Sequence, residues 1–272
     1  MSENVAAKLT SPSWLKAALS SRARDMVNSL TFRPHTIERE VVGEKHEFYI
    51  GNVTGQSWYS SKVDAALEMR FVKNQLIRPG DTVIECGAHH GAQTILLSRW
   101  AGNQGKVIAL EPIPENFEIL KKNVELNKLE NVVLVNKAVG NSCGSISMKL
   151  RSNGAVSAQR GAKNTIEIES ITLDKLTADL GVTPTFVKID VEGYEYQILE
   201  GGKATLSARP AVFVEVHTLS LPQYEKKFED IWQSIDANHY HIFIQSDDFK
   251  DPVPYVPGTM VNTRVHLFFK PR

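Results

Sequence analysis

Thr185-Phe-Val-Lys-Ile-Asp-Val-Glu-Gly-Tyr-Glu195 decides how the chain is read, because an apolar run from Thr185 through Ile189 breaks into Asp190, Glu192 and Glu195 around a glycine. A β-branched run ending in acids and a glycine reads as a buried parallel strand opening onto a loop. Ligands of open α/β sheets sit at such strand ends. The same acids also suit plain helix capping, since carboxylates favour helix N-termini and a helix is predicted from about Tyr194. What surrounds the stretch decides between the two.

Outward from it, strands and helices alternate. Upstream, the patterns predict strands at Thr82–Cys86, Lys106–Leu110 and Val132–Val135, with helices at Ala92–Trp100 and Pro114–Asn127 between them. A polar, strand-rich stretch from Gly144 to Ile171 and a short helix near Leu173–Leu180 come next. Downstream lie a strand at Ala211–Val216, a helix at Gln223–Ala237 and two strands near Tyr240–Ile244 and Arg264–Phe269. That final pair, joined by the Pro-rich turn Asp251–Gly258, reads as an antiparallel edge. The alternation predicts an α/β fold with a parallel sheet and helices on both faces. Ahead of it, Ser11-Pro-Ser13 followed by Trp14, Leu15, Ala18 and Leu19 reads as a capped amphipathic helix, Ile37–Ile50 as a hairpin, and Val63–Ile77 as a helix stopped by Arg78-Pro-Gly80.

At 272 residues the chain can bury a sizeable core as one main domain, here residues 63–272, with residues 1–62 as an N-terminal helical and hairpin extension on the lid or substrate side. Lysines plus arginines equal aspartates plus glutamates, 31 each, and form no basic run. No field favours nucleic acid, so the expected partner is a small molecule or glycan. Cys86 and Cys143 lie far apart without metal-ligand spacing, each in a segment that reads as buried or strand-like, which fits a reduced, cytoplasmic protein. No signal-peptide core and no run of about eighteen apolar residues is present, so no membrane span is expected.

After the first strand comes Glu85-Cys-Gly-Ala-His-His-Gly91. Gly87 and Gly91 let the chain turn tightly, and the following helix N-terminus offers free N–H groups. A dinucleotide is disfavoured, because His89 stands where the G-x-G-x-x-G fingerprint needs a glycine. A nucleoside-type ligand such as S-adenosylmethionine remains. Glu111-Pro112 ends the second strand, where an acid accepts from ribose hydroxyls in this fold. Glu85 can take the cofactor amine or a water, or serve as an N-cap carboxylate, and Ala138 and Val139 follow the third strand, where an adenine would lie, or are plain core residues. The paired His89 and His90 are expected to point apart on their turn, one towards cofactor or substrate and one towards solvent, without chelating a metal.

Taken in order, Glu85-Cys-Gly-Ala-His-His-Gly91, Glu111-Pro112, Asn123 with Asn127, Leu173-Asp174, Lys188-Ile-Asp-Val-Glu-Gly-Tyr-Glu195 and Val214-Glu-Val-His217 resemble the FkbM family of S-adenosylmethionine-dependent methyltransferases, over roughly Phe48 to His217. The resemblance implies a Rossmann-like class I methyltransferase with a mostly parallel seven-stranded sheet whose last strand is antiparallel. It also implies O-methylation of a hydroxyl on a sugar, glycolipid or natural product. It puts the first-turn cofactor contacts on Glu85, Gly87 and Gly91 and the ribose acid on Glu111; beside these, Ala88, His89, Pro112 and Asp190 are expected as further cofactor contacts, with Asp190 facing the substrate or the cofactor amine. Glu85 stands where the family usually has aspartate, and His89 where it usually has asparagine. The segment after His217 carries none of these motifs and is expected to carry substrate specificity.

Methyl transfer to an alcohol needs the nucleophile held in line with the methyl and relieved of its proton, and a histidine is a suitable acceptor. Alternation puts Glu215 and His217 on one side of their strand. If that strand neighbours the one ending in Asp190, then Asp190, Glu192, Glu215 and His217 share a pocket. His217 is then the expected general base, oriented by Glu215 or Asp190 as carboxylates orient imidazole in hydrolytic triads. A divalent cation such as Mg²⁺ on the same cluster is the alternative, less favoured because no further acid pair has ligand spacing. Glu195, one turn into its helix, reads as structural. Asn123 and Asn127 suit loop backbone, Trp58-Tyr59 an aromatic lid or packing, and Asp247, Asp248 and Asp251 a solvated turn. Two rival classes are an NAD-dependent oxidoreductase and a non-catalytic Rossmann-like module.

Overall fold

The structure, a computed structural model, describes residues 31–59, 66–149, 165–233, 235–259, 261 and 264–272. The amphipathic helix expected around Ser11–Val27 lies outside the described residues. Residues cluster into two units, Met1–Ile37 with Tyr49–Lys62, and Glu38–Phe48 with Val63–Arg272. In the first, the Val53–Tyr59 helix leaves Trp58 half exposed, its ring edge-on to Tyr59 at 6.5 Å. The predicted hairpin forms from β1 (His35–Val41) and β2 (Glu44–Ile50), turning at Val42-Gly43, both at positive φ.

The second unit holds an eight-stranded sheet. Its strands are β3 (Thr82–Cys86), β4 (Lys106–Leu110), β5 (Val132–Val135), β9 (Phe186–Ile189), β10 (Ala211–His217), β11 (Tyr240–Gln245), β12 (Val253–Pro254) and β13 (Arg264–Pro271), in the spatial order β12-β11-β13-β10-β9-β3-β4-β5. β3, β4, β5, β9 and β10 run parallel, whereas β13 is antiparallel to both β10 and β11. The seven expected strands are thus present, and the two-residue β12 adds an edge within the predicted Pro-rich turn. The last strand is not at the edge, however. It inserts between β10 and β11, and its run Val265-His-Leu-Phe-Phe269 is buried throughout, as befits a strand covered on both faces of the sheet. A second sheet of β6 (Ala138–Gly140), β7 (Gly144–Lys149) and β8 (Thr165–Thr172) accounts for the polar, strand-rich stretch.

Alternation along the strands divides the core into two layers. Ile84, Ile108, Val187, Val212 and Val214 pack with Leu173 and Leu199 on one face, and Val83, Val107, Phe186 and Phe213 pack with Leu97 and Leu120 on the other. Fully burying each such side chain stabilises by about 1.5–3 kcal/mol, which makes the sheet centre a rigid platform for its strand ends.

Two predicted helices differ. Val63–Ile77 resolves into a short helix, Leu67–Phe71, running into a π segment, Val72–Leu76. Gln223–Ala237 is a series of 3₁₀ turns, Leu221–Tyr224, Phe228–Gln233 and Ala237–His239. Glu225 takes a left-handed φ of 58°, which ends the first turn before an α-helix can propagate.

Candidate active site

The strand order reverses between β3 and β9. From β3 the chain proceeds through β4 to β5 on one side, and β9 and β10 lie on the other. That is the switch point where an open α/β sheet leaves a crevice at the carboxyl ends of its strands. The loop 87–91 leaves β3 there, Asp190 leaves β9, and the two backbones touch. A Cβ on Gly87, whose φ is +85°, would lie 1.9 Å from Asp190 O, so only glycine fits. Gly91, at φ 88°, opens the Ala92–Ala101 helix without a side-chain cap, leaving its first N–H groups to a ligand or water. Ala88 is buried beneath the turn.

Glu111, at the tip of β4, is buried and rigidly held. Oε2 accepts from the His89 amide at 2.8 Å, and Oε1 accepts from the Ile113 amide at 2.9 Å and from Asn116 Nδ2 at 3.2 Å. Burial pushes its carboxyl up to about 7 against these donors. A carboxylate offers about four acceptor positions, so this arrangement leaves about one for a ligand. Pro112 follows, half-buried, and Ala138 is buried on β6.

The two histidines do not point apart. A φ of 51° at His89 lets the rings stack with centroids 3.8 Å apart. His90 is buried rather than exposed, donates Nε2–H to Asn116 Oδ1 at 3.1 Å, and is pulled down to about 4 by burial. Asn123 Nδ2 donates to His90 O at 2.8 Å and Asn127 Nδ2 to Glu47 O at 2.8 Å, the backbone-tying role expected of the pair.

Glu85 is sealed away from the crevice. It is fully buried, accepts from Thr94 Oγ1 through Oε2 at 2.5 Å, and faces Lys188 Nζ at 3.6 Å through Oε1. It therefore reaches a ligand at the turn only through Lys188. Burial raises its carboxyl, and the Lys188 ammonium opposes that rise.

Across the crevice, β10 neighbours β9 with Val214 beside Ile189, and Asp190, Glu192, Glu215 and His217 converge. His217 Nε2 lies 3.4 Å from Glu192 Oε2 and 3.6 Å from Glu215 Oε1. The group bonded to His217 is neither Glu215 nor Asp190. Nδ1 donates to Oε1 of Glu195 at 2.8 Å, and that fully buried carboxylate also accepts the Gly193 amide at 2.7 Å. The Glu192-Gly193 turn, at positive φ, presses so closely on Ser220 that a Cβ on Gly193 would lie 2.2 Å from Ser220 Cβ. Burial pulls the His217 imidazole down, but Glu195, Glu192 and Asp190 outweigh it and carry the group to about 9.

Glu215 faces β13. The β10–β13 register places it opposite His266 and places His217 opposite Arg264. Arg264 donates to Glu215 Oε1 at 2.9 Å and His266 Nε2 to Oε2 at 3.1 Å. A second Arg264 nitrogen bonds Asp248, so the acidic loop after β11 is tied to the site rather than simply solvated. Burial works to raise Glu215, but His266 and Arg264 prevail and hold it at about 2. Asp190, Glu215 and His217 offer donor atoms within 4.8 Å of one another, a spacing compatible with a metal ion. Both oxygens of Glu215, however, already accept from cationic or imidazole donors.

Glu195, Arg264 and His266 escaped the sequence. Glu195 looked like an ordinary first-turn helix acid. Arg264 and His266 share a strand face by their i, i+2 spacing, but which strand they oppose is a matter of register.

A parallel sheet with one antiparallel strand inserted beside its end, and a glycine turn and acidic tips facing across the switch point, defines a Rossmann-like domain of the class I methyltransferase type. Residues 85–242, more than half of the chain, match the family described as Methyltransferase FkbM domain, and the chain belongs to that family. It is 28% identical over 141 residues to the hexuronic acid methyltransferase AglP of Haloferax volcanii, covering 50% of this chain and 56% of that one. It is 40% identical over 70 residues to the catalytic subunit TRM61 of the tRNA (adenine(58)-N(1))-methyltransferase of Yarrowia lipolytica, covering 26% and 18%. The chain thus spans less than two thirds of the length of either relative. Among solved structures, the FkbM methyltransferase of Methylobacillus flagellatus KT aligns at TM-score 0.46 and 16% identity over 71% of this chain and 48% of that one. M. jannaschii TYW2 in complex with AdoMet aligns at 0.48 and 17% over 89% of each. Among the described residues no helix is long and apolar enough to cross a membrane.

Proposed function

We propose that the protein is an S-adenosylmethionine-dependent O-methyltransferase acting on a hydroxyl of a small molecule or glycan, with His217 as general base. The observation that carries this is the His217–Glu195 bond. A fully buried carboxylate fixes Nδ1 at 2.8 Å and leaves Nε2 towards the acids at the mouth of β9 and β10. The similarity to AglP supports a carbohydrate acceptor.

The donor set suits the cofactor. The uncapped helix start after Gly91 offers N–H groups to a carboxylate, the Gly87 carbonyl and Asp190 offer acceptors to an ammonium, and Glu111 offers one acceptor position to a ribose hydroxyl. Ala88, His89, Pro112 and Ala138 are the further cofactor contacts in this reading. When bound, S-adenosylmethionine supplies an electrophilic methyl on a sulfonium. The chain's own work is to place the acceptor oxygen and take its proton on His217 Nε2. Glu195 stabilises the imidazolium that forms, as a buried carboxylate does in hydrolytic triads. A carboxylate held against the sulfonium would favour the ground state, so the acids serve better at the acceptor and ammonium sides.

Titration of the purified protein with S-adenosylhomocysteine tests the cofactor assignment, and a folded sample showing no binding overturns it. Methyl transfer to a panel of uronic-acid and neutral glycans tests the acceptor class. The donor spacing of Asp190, Glu215 and His217 favours a second, metal-assisted version. Activity that survives exhaustive chelation removes it.

A further inference from the structure

A lysine in the middle of a central strand is the least expected residue of the sheet. β9 reads Phe-Val-Lys-Ile, all four positions are buried, and Lys188 is 2% exposed. An ammonium persists out of water only where other acceptors replace the water it has lost. Three do: Gly87 O at 3.2 Å, Asp190 Oδ2 at 3.4 Å and Glu85 Oε1 at 3.6 Å. Burial pulls the ammonium pKa down, but Asp190, Glu85 and Glu215 outweigh it and hold the group above its ordinary value.

Neutralising Glu85 would need only one of these contacts, and a bare buried ion pair is readily replaced by apolar residues of similar volume. The other two contacts belong to different elements, the turn leaving β3 and the tip of β9. Glu85 is itself anchored by Thr94 from the Ala92–Ala101 helix, so the run Thr94, Glu85, Lys188, Asp190 crosses the switch point. Gly87 and Asp190 already touch through their backbones, and Lys188 bonds both from below.

We propose that Lys188 is a positioning residue whose ammonium fixes the Gly87 carbonyl and the Asp190 carboxylate relative to each other, preforming the acceptor pair that receives a ligand ammonium at the first turn. The proposal rests on the S-adenosylmethionine reading of that turn, whose methionine end carries such an ammonium. Lys188 takes one oxygen of Asp190 and leaves the other. It acts on the cofactor only through these two groups.

The test is titration of S-adenosylhomocysteine into the wild type, the Glu85→Gln/Lys188→Met double variant and Lys188→Arg, each across pH. The double variant removes the buried Glu85 and Lys188 charges together, so only Asp190, at the edge of the crevice, loses its counter-ion. It is expected to melt near the wild type yet bind about 10- to 100-fold more weakly. The acid-side midpoint of binding should also move up, because Asp190 without its counter-ion keeps its proton to higher pH. Lys188→Arg keeps the charge but changes its reach, and should fall between the two. A double variant with wild-type affinity and pH profile overturns the proposal and reduces Lys188 to the counter-ion of Glu85. Should the double variant not fold, an unchanged affinity and midpoint in Lys188→Arg overturns it equally. A folded wild type that does not bind at all overturns the cofactor reading, and this proposal with it.

Discussion

The two sides of the crevice are built on opposite principles. The side on β3 and β4 is backbone-driven: two glycines at positive φ, amide donors, and one carboxylate, Glu111, clamped by three donors and carried up to about 7 by burial. The side on β9, β10 and β13 is a compensated charge network in which Glu215 is held at about 2 and His217 is carried to about 9. The first shapes a ligand without committing charge, whereas the second keeps groups ready to exchange a proton. If chemistry belongs to the second side, damage there should cost rate and damage to the first should cost binding.

The largest expected effect is therefore His217→Ala. Loss of the base should lower methyl transfer about 10²- to 10⁴-fold while S-adenosylhomocysteine affinity stays within about twofold. Labelled-methyl transfer alongside calorimetric titration reads both numbers. Equal loss in the two would place His217 in the cofactor pocket and collapse the contrast.

Gly87→Ala should do the reverse. A Cβ 1.9 Å from Asp190 O on a residue at φ +85° cannot be relieved by a side-chain rotation. The turn must shift, weakening S-adenosylhomocysteine by on the order of 100-fold and lowering the melting temperature. A variant with wild-type melting and affinity would mean the turn is not a cofactor cradle.

That contrast also separates what the sequence discloses from what it hides. The first side is legible because it is local. A β-branched run, a glycine turn and an acid at the next strand tip lie within thirty residues, and observed strands β3, β4 and β5 begin and end where the apolar runs do. Even here the stacking of His89 on His90 depends on one left-handed φ that no pattern announces. On the second side, Glu215 and His217 share a face by simple alternation, so their convergence with Asp190 could be read. Glu195 could not, since helix acids at first turns are common and only the fold of the Glu192-Gly193 turn aims it at His217. Arg264 and His266 stayed hidden because the last strand inserts between β10 and β11, a choice made by non-local pairing. The predicted helix over Gln223–Ala237 failed for a local reason, the left-handed Glu225.

Glu195→Gln sharpens the contrast through pH. Below its pKa His217 is an imidazolium and cannot take a proton, so kcat/KM should rise about tenfold per unit and level off near the His217 value of about 9. Replacing the carboxylate by an amide removes the leading force that raises His217. The midpoint should fall by at least about one unit and the plateau by on the order of tenfold. Stability follows the same sign. A histidine whose folded pKa lies above its unfolded value stabilises fully below about 6.5 and loses that contribution as pH rises towards 9. The wild type should thus lose more melting temperature than Glu195→Gln between pH 6.5 and 9.5. Parallel melting curves would mean that Glu195 does not set the imidazole.

The smallest effect is expected at the outer end of the same network. Asp248 is bonded to Arg264, but both side chains are more than 40% exposed, and exposed pairs contribute about 0–1 kcal/mol. Asp248→Asn should leave the melting temperature nearly unchanged, and the Glu215–Arg264 bond should persist because it lies on the buried side. What the variant loosens is the tether between the loop after β11 and the site, a loop that carries the 77% exposed Phe249. If that loop forms part of the acceptor side, KM for the acceptor should rise about two- to fivefold with kcat and S-adenosylhomocysteine affinity constant, and the difference should vanish in high salt. A change in kcat instead would show that the charge network reaches outward from His217 as far as Asp248, so that the division between shaping and chemistry falls further out than the buried residues imply.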